Sequence, residues 1–160
     1  MSSAVEKARE LLKDVTPVHM DCGKLCRAAC CKGDGGEGML LLPGEAGLYK
    51  DASWCRILHQ GGHDDLLVCD GACDRKSRPF ACRIFPMAIF LTEKQIEINV
   101  NPLGRPLCPL CHMDLEALSP DFVDAAMQAA EILAKDKDCE KFLMRQTREM
   151  EELFFHPLFE

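Results

Sequence analysis

The stretch MAIFLTEKQIEINV, Met87 to Val100, reads as two short strands folded back on each other. MAIFL (87–91) is a short apolar run, and QIEINV (95–100) alternates, with Ile96, Ile98 and Val100 turned inward. Thr92 to Lys94 supply the polar connection, so the pair is expected to form a hairpin.

Helices follow it. Ser119 is placed to cap a helix whose first turn carries Pro120, and FVDAAMQAAEILAK continues with strong helical periodicity. CEKFLMRQTREMEELF makes a second helix, and the Phe, Met and Leu stripes of both suit core packing. At the other end, residues 4–14 place Val5, Ala8, Leu11 and Leu12 on one side and charges on the other, a short amphipathic helix. MLLL at 39–42 reads as a further strand. With no internal repeat and no long linker, the expectation is one α+β domain over residues 1–160. It would have a loop-rich cysteine region at 20–112, a short β-hairpin, and a helical part at 119–154.

A chain of 160 residues can bury a core without covalent staples. Its net charge is −7, with ten acidic and five basic side chains in residues 119–160 but nine basic and eight acidic in 22–83. An acidic chain without a basic stripe is a poor nucleic-acid binder. The opening MSSAVEKARELLKDV carries charge throughout and lacks the apolar run of a signal peptide or membrane helix, so a soluble, cytoplasmic protein is expected. Eleven cysteines is an odd number, and disulfides are rare in a reducing compartment, which disfavours a disulfide scaffold.

The cysteines group instead. CGKLCRAACCK (22–32) holds Cys22, Cys26, Cys30 and Cys31; CDGAC holds Cys69 and Cys73; RPFACRIFP holds Cys82; and CPLC holds Cys108 and Cys111. Short, turn-forming segments carrying several soft ligands are what a metal–thiolate centre requires. On a straight helix Cys22 and Cys30 would lie about 12 Å apart. Tetrahedral zinc wants its sulfurs roughly 3.8 Å apart, so the segment must bend sharply or serve a larger object such as an iron–sulfur cubane. Adjacent Cys30 and Cys31 point different ways, and which of them ligates is left open, as is a nucleophilic role for one of the two. Cys108-Pro109 is like the end of a ferredoxin run, without the rest of that spacing.

Cys55 and Cys139 stand alone and read as small buried hydrophobes. With cysteines in surplus, His59, His63 and His112 are not needed as ligands. Basic residues near the cysteines, among them Lys24, Arg27, Arg78, Arg83 and Arg105, would stabilise thiolates. GDGGEG (33–38) lacks the Lys-Ser or Lys-Thr of a phosphate loop and reads as a turn, and Gly61-Gly62 reads as another.

CGKLCRAACCK, then LPGEAGLY, RPFACRIFP and a later Cys-Pro together resemble the CxxCxxCC cysteine-cluster family of the YkgJ type, described as iron- or zinc-chelating. The resemblance covers roughly residues 20–112 and is most specific at Arg78-Pro79, Cys82-Arg83 and Phe85-Pro86. It implies ligand roles for Cys22, Cys26, Cys30, Cys31, Cys69, Cys73, Cys82 and Cys108, with Cys111 extra, and it matches Glu45 to the family's acidic position. The opening spacings are longer than the family's, and the segment between Cys73 and Arg78 is a residue short and lacks its Ile-Tyr.

The family includes longer flagellin lysine methylases, understood to use an iron–sulfur cluster in methyl transfer. The resemblance therefore implies iron–sulfur before zinc, and sets protein methylation among the implied roles. Two classes stay open. One is a 4Fe-4S protein with a redox or enzymatic role and a protein or redox partner. The other is a zinc-stabilised binding module. In both, Arg78 and Arg83 are expected to contact sulfur or to hold the motif against a carboxylate such as Glu45.

Overall fold

The alternation in QIEINV places three side chains against apolar neighbours, and the computed structural model carries it out. Residues 2–32, 38–60, 64–71 and 73–154 are described. Strands β4 (Met87–Leu91) and β5 (Ile96–Val100) pair antiparallel, Met87 opposite Val100 and Leu91 opposite Ile96. Met87, Ile89 and Leu91 are buried, and Ile96, Ile98 and Val100 pack partly exposed against the same core.

Helices α4 (Pro120–Leu133) and α5 (Lys137–Phe154) cover this hairpin, α5 against β4 and α4 against β5. Helix α1 (Ser3–Leu11) packs on α4 through Val5, Ala8 and Leu12. Ala126, Ala129 and Ala130 of α4 are fully buried, and side chains this small let neighbouring elements approach closely. Ser119 holds the capping position of α4, but its side chain makes no capping bond. Its amide donates to the Pro17 carbonyl (2.8 Å) and its carbonyl accepts from Phe122 and Val123.

Thr147 on α5 closes this layer. It is 1% exposed; its hydroxyl accepts from the Leu91 amide (2.8 Å) and donates to the Leu143 carbonyl (2.9 Å). Thr147→Val keeps the shape and strands the Leu91 amide. A loss of roughly 1–3 kcal/mol is expected, read as a lower urea midpoint at unchanged m; an unchanged midpoint would show that the amide finds another partner.

The middle of the chain holds more regular structure than its glycines suggest. Strands β1 (Met39–Leu40), β2 (Cys55–Gln60) and β3 (Asp64–Cys69) form a second antiparallel sheet in the order β1-β3-β2. Leu41, Tyr49 and Leu67 form a small core there, with Trp54, Ile57, Cys55 and Cys69 packed against it. Residues 61–63, where Gly61-Gly62 and His63 were read, and residues 33–37, most of GDGGEG, lie outside the described residues. The architecture is a small α+β domain with two sheets, one main core and this lesser one.

Candidate metal centre

A short helix, α2 (Gly23–Cys26), ends where Arg27 and Ala28 both turn left-handed, each with φ 54°. Two consecutive non-glycine residues in that region store backbone strain of about 1–3 kcal/mol each. They bend the segment sharply, one of the two alternatives that the cysteine spacing left open, and Ala29–Cys31 continues as a single 3₁₀ turn. The Cys30 and Cys31 sulfurs come within 3.9 Å of each other. Cys26 stays on α2, its thiol donating to the Cys22 carbonyl (3.7 Å).

The second contribution comes from CDGAC and RPFACRIFP. Gly71 sits at φ +94°, the conformation that turns the chain between Cys69 and Cys73. Asp74 then caps a 3₁₀ turn at Arg75–Ser77 by accepting from the Lys76 amide (3.2 Å), and helix α3 (Phe80–Ile84) carries Cys82. Arg78, between these segments, acts electrostatically on Cys73, Cys31, Cys22 and Cys82, favouring their thiolate forms.

The thiols feel one another. Burial pushes Cys82 well up, with Cys73 and Cys31 adding to it and Arg78 opposing. Burial also raises Cys73 and Cys22, again against the pull of Arg78. Cys30 and Cys31 share a hydrogen bond that raises Cys30 and lowers Cys31 to about 6, so the pair sheds its first proton readily and holds its second. Cys22, Cys30, Cys31, Cys69, Cys73 and Cys82 thus form one electrostatically linked group.

Cys108, just before the 3₁₀ turn Pro109–His112, and Cys111 within it are buried in the main core, the Cys111 amide donating to the Cys108 carbonyl (3.0 Å). Burial pushes Cys111 up to about 12, and its thiol donates to the Pro86 carbonyl (3.8 Å). Cys22 links this pair to the rest through Cys108. A Cβ at Gly104 would stand 2.6 Å from the Cys111 sulfur and 2.8 Å from the Phe85 ring, so only glycine admits Cys111 there.

Arg83 departs from expectation. Its guanidinium meets neither sulfur nor Glu45; it donates to the carbonyls of Arg78 (2.9 Å), Arg9 (3.0 Å) and Lys76 (2.7 Å). The carboxylate of Glu45, fully buried, is instead bonded by Arg9, by the Phe80 amide (2.8 Å) and by the Leu42 amide (3.1 Å). Arg9 also donates to the Tyr49 hydroxyl (2.6 Å), whose pKa burial pushes up to about 12. The structure therefore joins LPGEAGLY to RPFACRIFP through the Phe80 amide at the start of α3, one turn from Cys82.

The isolated residues divide. Cys139 is fully buried in the main core, its amide donating to Asp136 (3.1 Å). Cys55, solitary in the sequence, faces Cys69 across β2 and β3 and senses both Cys69 and Cys73. Sequence reasoning missed it because strand register, which sets that pairing, depends on two strands that were not recognised. His59 is exposed and paired with Asp65 (2.5 Å), His112 meets the Arg105 carbonyl (3.0 Å), and His63 lies outside the described residues.

All eleven cysteines are described, and all are free thiols. Among the described residues no three His, Cys, Asp or Glu side chains are arranged to hold a single metal ion. A cavity of ≈ 20 Å³, about one water, reaches Cys22, Arg78 and Cys82, and the thiols beyond it lie at a partly open surface. No helix among the described residues is long and apolar enough to cross a membrane. The chain matches no family model, and no curated protein or solved structure matches it.

Proposed function

We propose that this protein binds an iron–sulfur cluster of the 4Fe-4S type through its clustered thiolates and uses it in a redox or cluster-dependent enzymatic role with a protein partner. One observation carries the reading: thiols from three separate segments, Cys22 and Cys31, Cys73, and Cys82, all lie within electrostatic reach of the single guanidinium of Arg78. Thiolates packed this closely repel one another, and the group becomes favourable when a cation set neutralises them.

The donor set fits such a group in kind, being soft thiols only. When bound, the cluster would supply one-electron transfer. Cys22, Cys31, Cys73 and Cys82 are the first candidates to hold it, with Cys30, Cys69 and Cys26 adjoining. Arg78 would offset its negative charge and donate to sulfur, a contact that raises a cluster's potential. Arg83 acts one step back, pinning three carbonyls so that Arg78 and α3 keep their places.

A zinc-stabilised module is the second reading, favoured by the two tight turns that carry Cys69 with Cys73 and Cys108 with Cys111. Anaerobically purified protein is expected to be brown, with iron and acid-labile sulfide in near-equal amounts. Cys82→Ser and Cys22→Ser should lose most of the metal, while Cys139→Ala should keep it. Stoichiometric zinc without sulfide would replace the first reading by the second, and full metal in the Cys82 variant would overturn both assignments of that residue.

A further inference from the structure

Cys55 and Cys69 occupy opposite positions on antiparallel strands. The next pair outward, Trp54 and Asp70, is joined by a bond from the Asp70 amide to the Trp54 carbonyl (2.9 Å). Hydrogen-bonded and non-hydrogen-bonded pairs alternate along such a ladder, so Cys55 and Cys69 form a non-hydrogen-bonded pair. In that arrangement the Cα atoms stand about 4.5 Å apart, inside the range of about 4.4–6.8 Å that a disulfide spans. Directly opposed residues share a face, and both cysteines pack against the small core of Leu41, Tyr49 and Leu67. Both are partly exposed, so a small oxidant can reach them.

We propose that Cys55 and Cys69 are a redox pair that closes to a cross-strand disulfide on meeting a hydroperoxide. The two thiols surrender two protons and two electrons and an S–S bond forms. The O–O bond breaks, and hydrogen peroxide leaves as two waters. Two other pairs compete. The Cys30 and Cys31 sulfurs are 3.9 Å apart, but a bond between adjacent residues closes a strained eight-membered ring. Cys108 and Cys111 are 7% and 2% exposed, shielded from solution oxidant. Pairing of Cys55 needs no metal; its consequence, removal of Cys69 from the thiolate group, rests on the function proposed above.

Protein as purified, treated with a small excess of hydrogen peroxide, alkylated, digested and mapped by mass spectrometry, should yield a Cys55–Cys69 peptide as the first and dominant disulfide. Cys55→Ser should abolish it and leave Cys69 available to the alkylating reagent. Cys55 found alkylated in oxidised wild type, with disulfides confined to Cys30–Cys31 or Cys108–Cys111, would overturn the proposal. Iron and zinc are measured in the same samples. Metal lost from wild type and kept in Cys55→Ser supports the link to the thiolate group, and disulfide formed with metal fully kept overturns that link. Protein that starts without metal refutes the metal reading alone, and the disulfide map still decides the pair.

Discussion

Replacing Glu45 with alanine is expected to cost about 3–5 kcal/mol, a fall of roughly 10–15 °C in Tm for a domain of this size. The carboxylate is fully buried, and its removal leaves the Arg9 guanidinium without its partner charge and the amides of Leu42 and Phe80 without acceptors. These three groups lie on α1, on the segment after β1 and on α3, so one side chain ties together elements distant in sequence. Glu45→Gln retains an oxygen for the Phe80 amide and loses the charge facing Arg9, and a smaller fall is expected. The alanine variant should also hold metal poorly, since α3 carries Cys82, even though Glu45 touches no sulfur. Thermal unfolding followed by circular dichroism, with metal analysis on the same samples, reads both effects. A Glu45→Ala protein within 1 kcal/mol of wild type would show that the buried pair is not what anchors α3.

Removing the metal should loosen one part of the molecule and spare another. Among the described residues of 22–32 and 69–78 only Cys22 and Cys69 pack against a core; the side chains are exposed or partly exposed, and the segments carry the left-handed bend at Arg27–Ala28 and the turn at Gly71. Thiolate bonds are what would hold them, so their folding free energy is binding free energy. Hairpin β4–β5 with α1, α4 and α5 shares the main core and keeps its own apolar contacts. Chelation under anaerobic, reducing conditions, followed by hydrogen exchange, should bring the first two segments near unprotected rates. Met87–Leu91 and Pro120–Phe154 should keep most of their protection. Strands β2 and β3, with a small core of their own, should fall between. Equal protection of 22–32 and 69–78 with and without metal would refute a structural role for it.

The legible parts of this fold are those whose signal is local. The β4–β5 hairpin and helices α1, α4 and α5 declare themselves through periodicities of two and 3.6 residues, which each segment carries whatever surrounds it. The bend between Cys26 and Cys30 is legible in the sequence only as one of two alternatives, because a straight helix keeps such thiols apart while a larger bound group could also span them. Strands β2 and β3 escaped: CRILHQ and DDLLVC flank glycines and histidine, and neither run alternates cleanly, since one face is half covered by a small core.

Local patterning alone marked helices α1, α4 and α5, the β4–β5 hairpin and the grouping of the thiols. Tertiary structure alone decided that Glu45 answers Arg9, that Arg83 clamps backbone while the charge of Arg78 acts on the thiols, and that Cys55 faces Cys69. The reason is physical. Periodicity records the face a segment must bury, whereas the partner of a buried charge or thiol is set by how separate elements dock, and no stretch of chain carries that information alone.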